Sequence, residues 1–488
     1  MAEKSLKKNA ILNAIKTIMG IVYPIITFPY ASRILLPDGI GKVNFANSIV
    51  SCFAIIASLG VGNYATREAA KIRDNIPELR KLIKEILIIN ISSTIIAYIL
   101  FFSSIFFIPK LQNYQVLLLI SSLTIIFNTI GIGWFYTAIE EYAYITFRSI
   151  IFQVINIIFL FVFVKTKNDI YLYAFMNVIA SVGSNICNFV HLKHFVSLKE
   201  KTSIEIKKHL KPIAILFGMS VAIKVYTILD SSMLGFLTND TQVGYYSAAT
   251  KINKMVLMVV TAIGGVLFPR LSYYSNKEDK TEFLNLLIKG FSITLCLAIP
   301  CTLGLHFLSK PITLLFSGEN YLDSIPVMEI MNPIIIIISI SNFIGIQYFL
   351  PLKKEKITLY SVIIGAVTNF SLNLILIPKY QALGAGIATV CAESCVTLFQ
   401  LYKAKNEIDY KKFLLNIFEF TFASTVMSFY VVFITKNVSE NFLQILYSVT
   451  GGAIIYYLIL LILRNKIVLD TTKSLANNLK KNRGKNND

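Results

Sequence analysis

Six lysines fall inside stretches that are otherwise apolar: Lys16, Lys42, Lys224, Lys251, Lys254 and Lys289. An ammonium among hydrocarbon is costly and usually faces a partner or a polar cavity, so these positions are the first place to look for chemistry. Lys42 and Lys289 stand near the ends of their stretches, where the side-chain stem can carry the amine to an interface. Lys224 stands near the middle of its stretch, and Lys251 and Lys254, at i,i+3 spacing, share one helix face. These three read as cavity-lining cations for an anionic ligand; Lys16 fits either reading. The acidic counterparts are Asp230, Glu329, Glu393 and Glu419. Asp230 lies roughly 9 Å of helix rise inside its stretch and Lys251 roughly 12 Å inside the next, a similar depth. The two can pair, either as a structural ion pair or as a coupling-ion site. Arg33 closes the first apolar stretch with a guanidinium suited to bidentate phosphate contact, or to plain anchoring at the interface.

Signals for bond-breaking chemistry are missing. There is no G-x-x-x-x-G-K-[ST] loop to cradle a nucleotide, and Gly131-Ile132-Gly133 lies within an apolar stretch, where it is a packing feature. His191 and His194 share a helix face without a nearby acidic or cysteine ligand, so no metal site and no cofactor are implied. The six cysteines all lie in apolar stretches, where a thiol behaves as a small hydrophobe.

The elements that must position these cations are membrane spans. Of 488 residues 55% are apolar and 15% charged, and the apolar stretches repeatedly reach the ~20 residues that cross a bilayer. Fourteen spans are read near residues 10 to 32, 41 to 64, 83 to 108, 114 to 138, 144 to 164, 170 to 192, 210 to 236, 243 to 268, 285 to 308, 326 to 350, 357 to 377, 382 to 402, 412 to 434 and 441 to 463. The fold class is therefore an all-α polytopic membrane protein. The first span is too long for a signal-peptide core and lacks a small-residue cleavage site, so it is expected to be retained. The net charge of +19 lies in short segments between spans, which argues for membrane topology and against nucleic acid. With the N-terminus in the cytoplasm, only Arg33, Lys110, Lys165, Lys167, Lys310, Lys379 and Lys436 fall outside, and every other loop cation falls inside. Both termini are expected to be cytoplasmic.

A gap-free shift of 203 residues aligns Gly41 with Gly244, Ala46 with Ala249, Ile49 with Ile252, Gly62 with Gly265 and Arg67 with Arg270. The shift equals six spans and preserves orientation, which implies two parallel six-helix lobes about an axis along the membrane normal. The expected organisation is a lobe over 1–192, a cytoplasmic connector over 193–209 and a second lobe over 210–405. Two additional helices over 406–464 and a basic tail over 465–488 complete the chain.

Pro37-Asp38-Gly39 is turn chemistry between the first two spans. Pro24 and Pro29 in the first span remove backbone hydrogen bonds and should bend it. Around this turn the succession FPYxSRxLxPxGIGxVNFAxSI, then SLGxxxYxxREAAKIRDN, resembles the opening of Wzx-type lipid-linked oligosaccharide flippases, members of the MATE-like exporter superfamily. The resemblance is specific over residues 28–75 and weaker over most of the chain. It implies translocation of an undecaprenyl-diphosphate-linked oligosaccharide across the bacterial cytoplasmic membrane, for O-antigen, capsule or exopolysaccharide synthesis, by alternating access. A polymerase and a chain-length regulator of the same pathway are implied partners. Lys224, Lys251, Lys254, Arg33 and Lys16 would then meet the diphosphate in a cavity between the lobes. The alternatives are a MATE-like antiporter of small molecules, which should prefer interior acids for cationic cargo, and a polysaccharide polymerase, which should carry a long outer catalytic loop. The longest outer loop here, about Ser309 to Ile325, is short.

Overall fold

The computed structural model describes residues 6–197, 200, 203–277, 279–405 and 411–469. Of the expected basic tail, residues 470–488 lie outside the described residues, as do Lys4, Lys199 and Lys201. The described chain is helical without strands and forms two compact units, Met1–Ser247 and Ala248–Asp488. The first unit holds α1 (Leu6–Ser58), α2 (Val61–Lys71), α3 (Ile76–Phe107), α4 (Pro109–Gln112), α5 (Gln115–Gly131), α6 (Gly133–Ala138), α7 (Tyr142–Phe163), α8 (Ile170–Val178), α9 (Asn185–Leu192), α10 (Lys207–Leu237) and the start of α11 (Asp240–Asn276). The second holds the rest of α11, then α12 (Lys280–Phe307), α13 (Ser309–Phe316), α14 (Ser324–Met331), α15 (Ile334–Asn342), α16 (Glu355–Ala404), α17 (Lys411–Asn437) and α18 (Asn441–Ile462).

Ten helical stretches among the described residues are long and apolar enough to cross a bilayer. The fourteen expected spans map onto them once two long stretches are divided and the shorter apolar helices Gln115–Gly131 and Thr227–Leu237 are added. The chain is a multi-pass membrane protein. Its lipid-side character shows in fully apolar side chains left uncovered, such as Phe107, Phe429 and Ile462.

The divisions have local causes. In α1 the helix runs on through Pro24 and Pro29 and breaks at Leu36 (φ 60°, ψ 173°). Pro37 then opens the next helical stretch, where its missing N–H costs nothing. In α16 the break is at Gln381 (φ 53°), and a Cβ on Gly384 would stand 2.3 Å from the Leu376 carbonyl oxygen, so the chain doubles back closely. The second span ends at Ser58, sooner than its apolar pattern suggests, because Leu59 and Gly60 both take left-handed backbone. The residues that follow form α2, which buries Val61, Tyr64, Ala65 and Ala69. Gly131 meets the Asn185 side chain so closely that a Cβ would lie 2.6 Å from Cγ, a packing role in keeping with its place in the sequence.

Within the first unit α1 and the start of α11 cross at two glycines. A Cβ on Gly41 would stand 1.7 Å from the Asp240 carbonyl oxygen, and a Cβ on Gly244 would stand 2.1 Å from the Pro37 carbonyl oxygen. The 203-residue shift carries Pro37 to Asp240 and Gly41 to Gly244, so the contact is its own image under the sequence repeat. Nearby, α10 packs on α1 with Gly235 against the Phe45 ring and Ser232 donating to Ser48 at 3.0 Å.

The second unit is organised around α12, which packs against α15 and α17, with α17 also on α18. Its core includes Phe283, Leu287, Phe291, Leu295, Phe343 and Phe420.

Candidate functional site

The lysines singled out in sequence occupy unlike settings. Lys251 is half-buried and Lys254, one turn on, is exposed; the two ammonium groups repel one another across that turn. These two are brought together. Lys224 is exposed on α10, and its carbonyl accepts from Thr227 Oγ1 at 2.8 Å. Lys16 is exposed in the first half of α1 and feels the Arg148 guanidinium as a second cation. Arg148 itself donates to the Ser184 carbonyl at 2.7 Å and lies over the Tyr144 ring. Thr146, two residues before Arg148, donates to the Leu12 carbonyl at 3.2 Å, which holds this part of α7 against the first half of α1.

Arg33 is exposed and donates to the Pro29 carbonyl at 2.7 Å, one turn back along its own helix. Asp230 is buried and accepts from Tyr246 at 2.5 Å. Lys42 pairs with Asp38 at 2.7 Å at the surface, as a snorkelling lysine would. His191 stacks on Tyr144 with ring centroids 4.3 Å apart. Glu419 accepts from Asn465, whose Oδ1 also accepts from the Ile467 N–H at 3.1 Å and so fixes the turn after α18.

One polar centre escaped the sequence reading. Glu85, on α3, is wholly buried, and its carboxylate accepts from His209 Nε2 at 2.7 Å, Lys208 Nζ at 3.2 Å and the Glu205 N–H at 2.7 Å. His209 Nδ1 meets Tyr64 Oη at 2.6 Å. With Glu85 ionised, Nε2 carries the proton, and in the neutral ring Nδ1 is then the acceptor from Tyr64. The segment before α10 is thereby tied to α2 and α3 through one buried chain of hydrogen bonds. Glu205 adds a surface pair with Lys81 at 2.9 Å, and that hydrogen bond holds its carboxyl below the usual range. A depressed carboxyl supports the fold above its ordinary value, and the support fades as pH falls through the folded value. Glu85→Ala should lower stability by about 3–5 kcal/mol, the cost of leaving buried donors without their charge partner. Thermal unfolding of the purified variant reads this, and an unchanged midpoint would show that the cluster contributes nothing to the fold.

The polysaccharide biosynthesis protein family model matches residues 6–275, more than half of the chain. The chain belongs to the polysaccharide biosynthesis protein family. A second model, MatE, matches residues 215–377. Among curated relatives, the Escherichia coli K12 protein named "Putative O-antigen transporter" is 26% identical over 417 residues, covering 82% of this chain and 97% of the relative. A Haloferax volcanii protein named "Probable low-salt glycan biosynthesis flippase Agl15" is 22% identical over about half of each chain. Among solved structures, the lipid II flippase MurJ in an inward closed conformation superposes with a TM-score of 0.75 at 19% identity, over 94% of this chain and 99% of that one. An inward-facing MATE multidrug transporter gives 0.59 at 13% identity, over 81% and 97%. The fold of this family member is thus that of polytopic helical transporters.

Proposed function

We propose that this family member is a flippase, not an enzyme, that moves undecaprenyl-diphosphate-linked oligosaccharide repeat units across the bacterial cytoplasmic membrane by alternating access, for surface polysaccharide synthesis. The observation that carries the reading is the alignment along 97% of a relative named for O-antigen transport. The interior charges agree with it: Lys224, Lys251, Lys254 and Lys16 suit a diphosphate, which a cation neutralises through charge-assisted hydrogen bonds while the lipid tail stays in the bilayer. A small-molecule antiporter reading draws on the MatE match over residues 215–377, but cationic cargo would call for acids where these lysines stand. The polymerase and chain-length regulator of the same pathway are proposed partners. The two-lobed organisation with its connector over 193–209, and cytoplasmic termini, belong to the same proposal.

Deleting the gene should leave lipid-linked repeat units on the cytoplasmic leaflet and little long polymer at the cell surface. Accumulation of single repeat units on the outer leaflet would mean that translocation is intact and would sink the flippase reading in favour of a polymerase. Orientation has its own test. In intact cells an impermeant thiol reagent should label Asn320→Cys and spare Asn75→Cys, because Asn75 lies among the cations Arg67, Lys71, Arg73 and Arg80. The reverse pattern would invert the topology.

A further inference from the structure

The second unit has a cleft with charged and aromatic side chains in its wall where α11 ends and α12 begins. Its volume is about 570 Å³, and it is lined by Pro269, Arg270, Tyr273, Tyr274, Glu282, Asn285, Leu286 and Lys289. Lys277 lies over the Tyr273 ring, 4.7 Å from its centroid, and adds a third cation beside the lining. No carboxylate of a described residue forms an ion pair with Arg270 or Lys289.

The repeat shows how unusual this is. Helices α3 and α12 begin with the same cap: the Asn75 side chain accepts from the Glu78 N–H, and the Asp279 side chain accepts from the Glu282 N–H. Matching the caps places Leu79 on Phe283 and Ile83 on Leu287, both pairs buried, and places Glu85 on Lys289. In the first unit this position is a buried acid covered by the segment Glu205–His209, which brings it Lys208 and His209. In the second unit the same position is an exposed cation facing an open cleft. The arginines differ in the same sense. Arg67 is neutralised by its neighbour Glu68 at 3.2 Å, whereas its repeat partner Arg270 is followed by Leu271, fully buried in the core. Arg270 has thus lost its neighbouring acid and position 289 has reversed its sign, and Arg270 and Lys289 line one cleft.

We propose that this cleft binds the phosphate of an anionic lipid headgroup, held by Arg270 and Lys289, with Asn285 as a neutral donor. Arg270 supplies a fork that matches two phosphate oxygens and Lys289 a point charge. Lys289 stands nine residues into α12, roughly 14 Å of rise from its first residue, so the lining runs from the membrane surface inward. Leu286, Pro269 and the two tyrosine rings give the glycerol and upper chain an apolar wall, and tyrosine is at home at this level of a bilayer. A basic pocket between spans is a fitting receptor for a phosphorylated headgroup. Glu282 subtracts one charge from the lining. The proposal does not depend on the flippase reading; a phospholipid and the diphosphate of a lipid-linked cargo offer the same chemistry.

The full chain is purified and reconstituted in phosphatidylcholine nanodiscs containing phosphatidylglycerol, and lipid retention is followed by native mass spectrometry. Retention of phosphatidylglycerol should weaken about fivefold for each charge removed in Arg270→Gln and Lys289→Gln, and strengthen by a similar factor in Glu282→Gln. Lys310→Gln, an exposed position just past the opposite end of α12, should leave retention unchanged. If undecaprenyl diphosphate shows this dependence and phosphatidylglycerol does not, the phosphate site stands and its source is the cargo lipid. Retention that ignores Arg270→Gln and Lys289→Gln, or that falls in Glu282→Gln, would overturn the site.

Discussion

Replacing Gly41 by alanine should deplete the folded protein, because the added methyl group would stand 1.7 Å from the Asp240 carbonyl oxygen and 3.0 Å from the Gly244 nitrogen. Both obstacles are backbone, so no rotamer change relieves the clash and α1 must separate from α11. Overpacking a helix contact costs about 1–3 kcal/mol when side chains can adjust, and this site should fall at or beyond the upper end. Gly244→Ala meets the Pro37 carbonyl oxygen at 2.1 Å and should behave alike. Because both changes break one contact, the double variant should cost less than the two single costs added together. Gly62→Ala is the control: nothing lies within 4 Å of its Cβ, and alanine gains about 1 kcal/mol over glycine in a helix. Membrane abundance and thermal unfolding in detergent measure all four variants. Normal abundance and an unchanged midpoint for Gly41→Ala would mean that this crossing does not hold the first unit together.

The same glycines show how much the sequence discloses. A shift of 203 residues aligned Gly41 with Gly244 on type and spacing alone, and the structure places them against each other. The alignment could not show that they touch, since identity under a shift carries no distance. Span count was legible for a related reason: bilayer thickness fixes a minimum apolar length, and the ten long apolar stretches, two of them divided, with the two shorter apolar helices match the fourteen expected spans. Breaks were legible only where turn residues announce them. Pro37-Asp38-Gly39 marks the first, but the stop at Leu59 rests on left-handed backbone at Leu59 and Gly60, which only the glycine signals by its type.

Glu85 and His209 stayed hidden because their bond spans 124 residues and each lies at the polar edge of an apolar stretch, where charge is routine. The useful signal was the missing counterpart: Glu85 falls on a lysine once the helix caps of the repeat are matched, and a sign reversal at a buried position asks for a different partner. The interior lysines were legible as costly residues. What each one faces was not, since hydropathy ranks a position by depth and says nothing of direction.

Neutralising Lys251 to glutamine is expected to lower transport by about one to two orders of magnitude, the worth of one hydrogen bond to a charged group, while leaving protein abundance close to normal. Lys251 is half-buried and its neighbour Lys254 repels it, so the pair is poised to gain from a shared anion. Lys254→Gln and Lys224→Gln should act in the same direction, and arginine at each position, which keeps the charge, should retain more activity. Asp230 provides the separating test. It is buried and already accepts from Tyr246 at 2.5 Å, so its carboxylate has one neutral donor whatever its relation to Lys251. If Lys251 also neutralises Asp230, removing the lysine strands a buried charge and lowers abundance, and Asp230→Asn combined with Lys251→Gln should restore abundance without restoring transport. Full transport in that double variant would make the pair structural and remove Lys251 from the substrate path. Transport unaffected by all three single changes would leave the interior cations without a role in recognising a diphosphate.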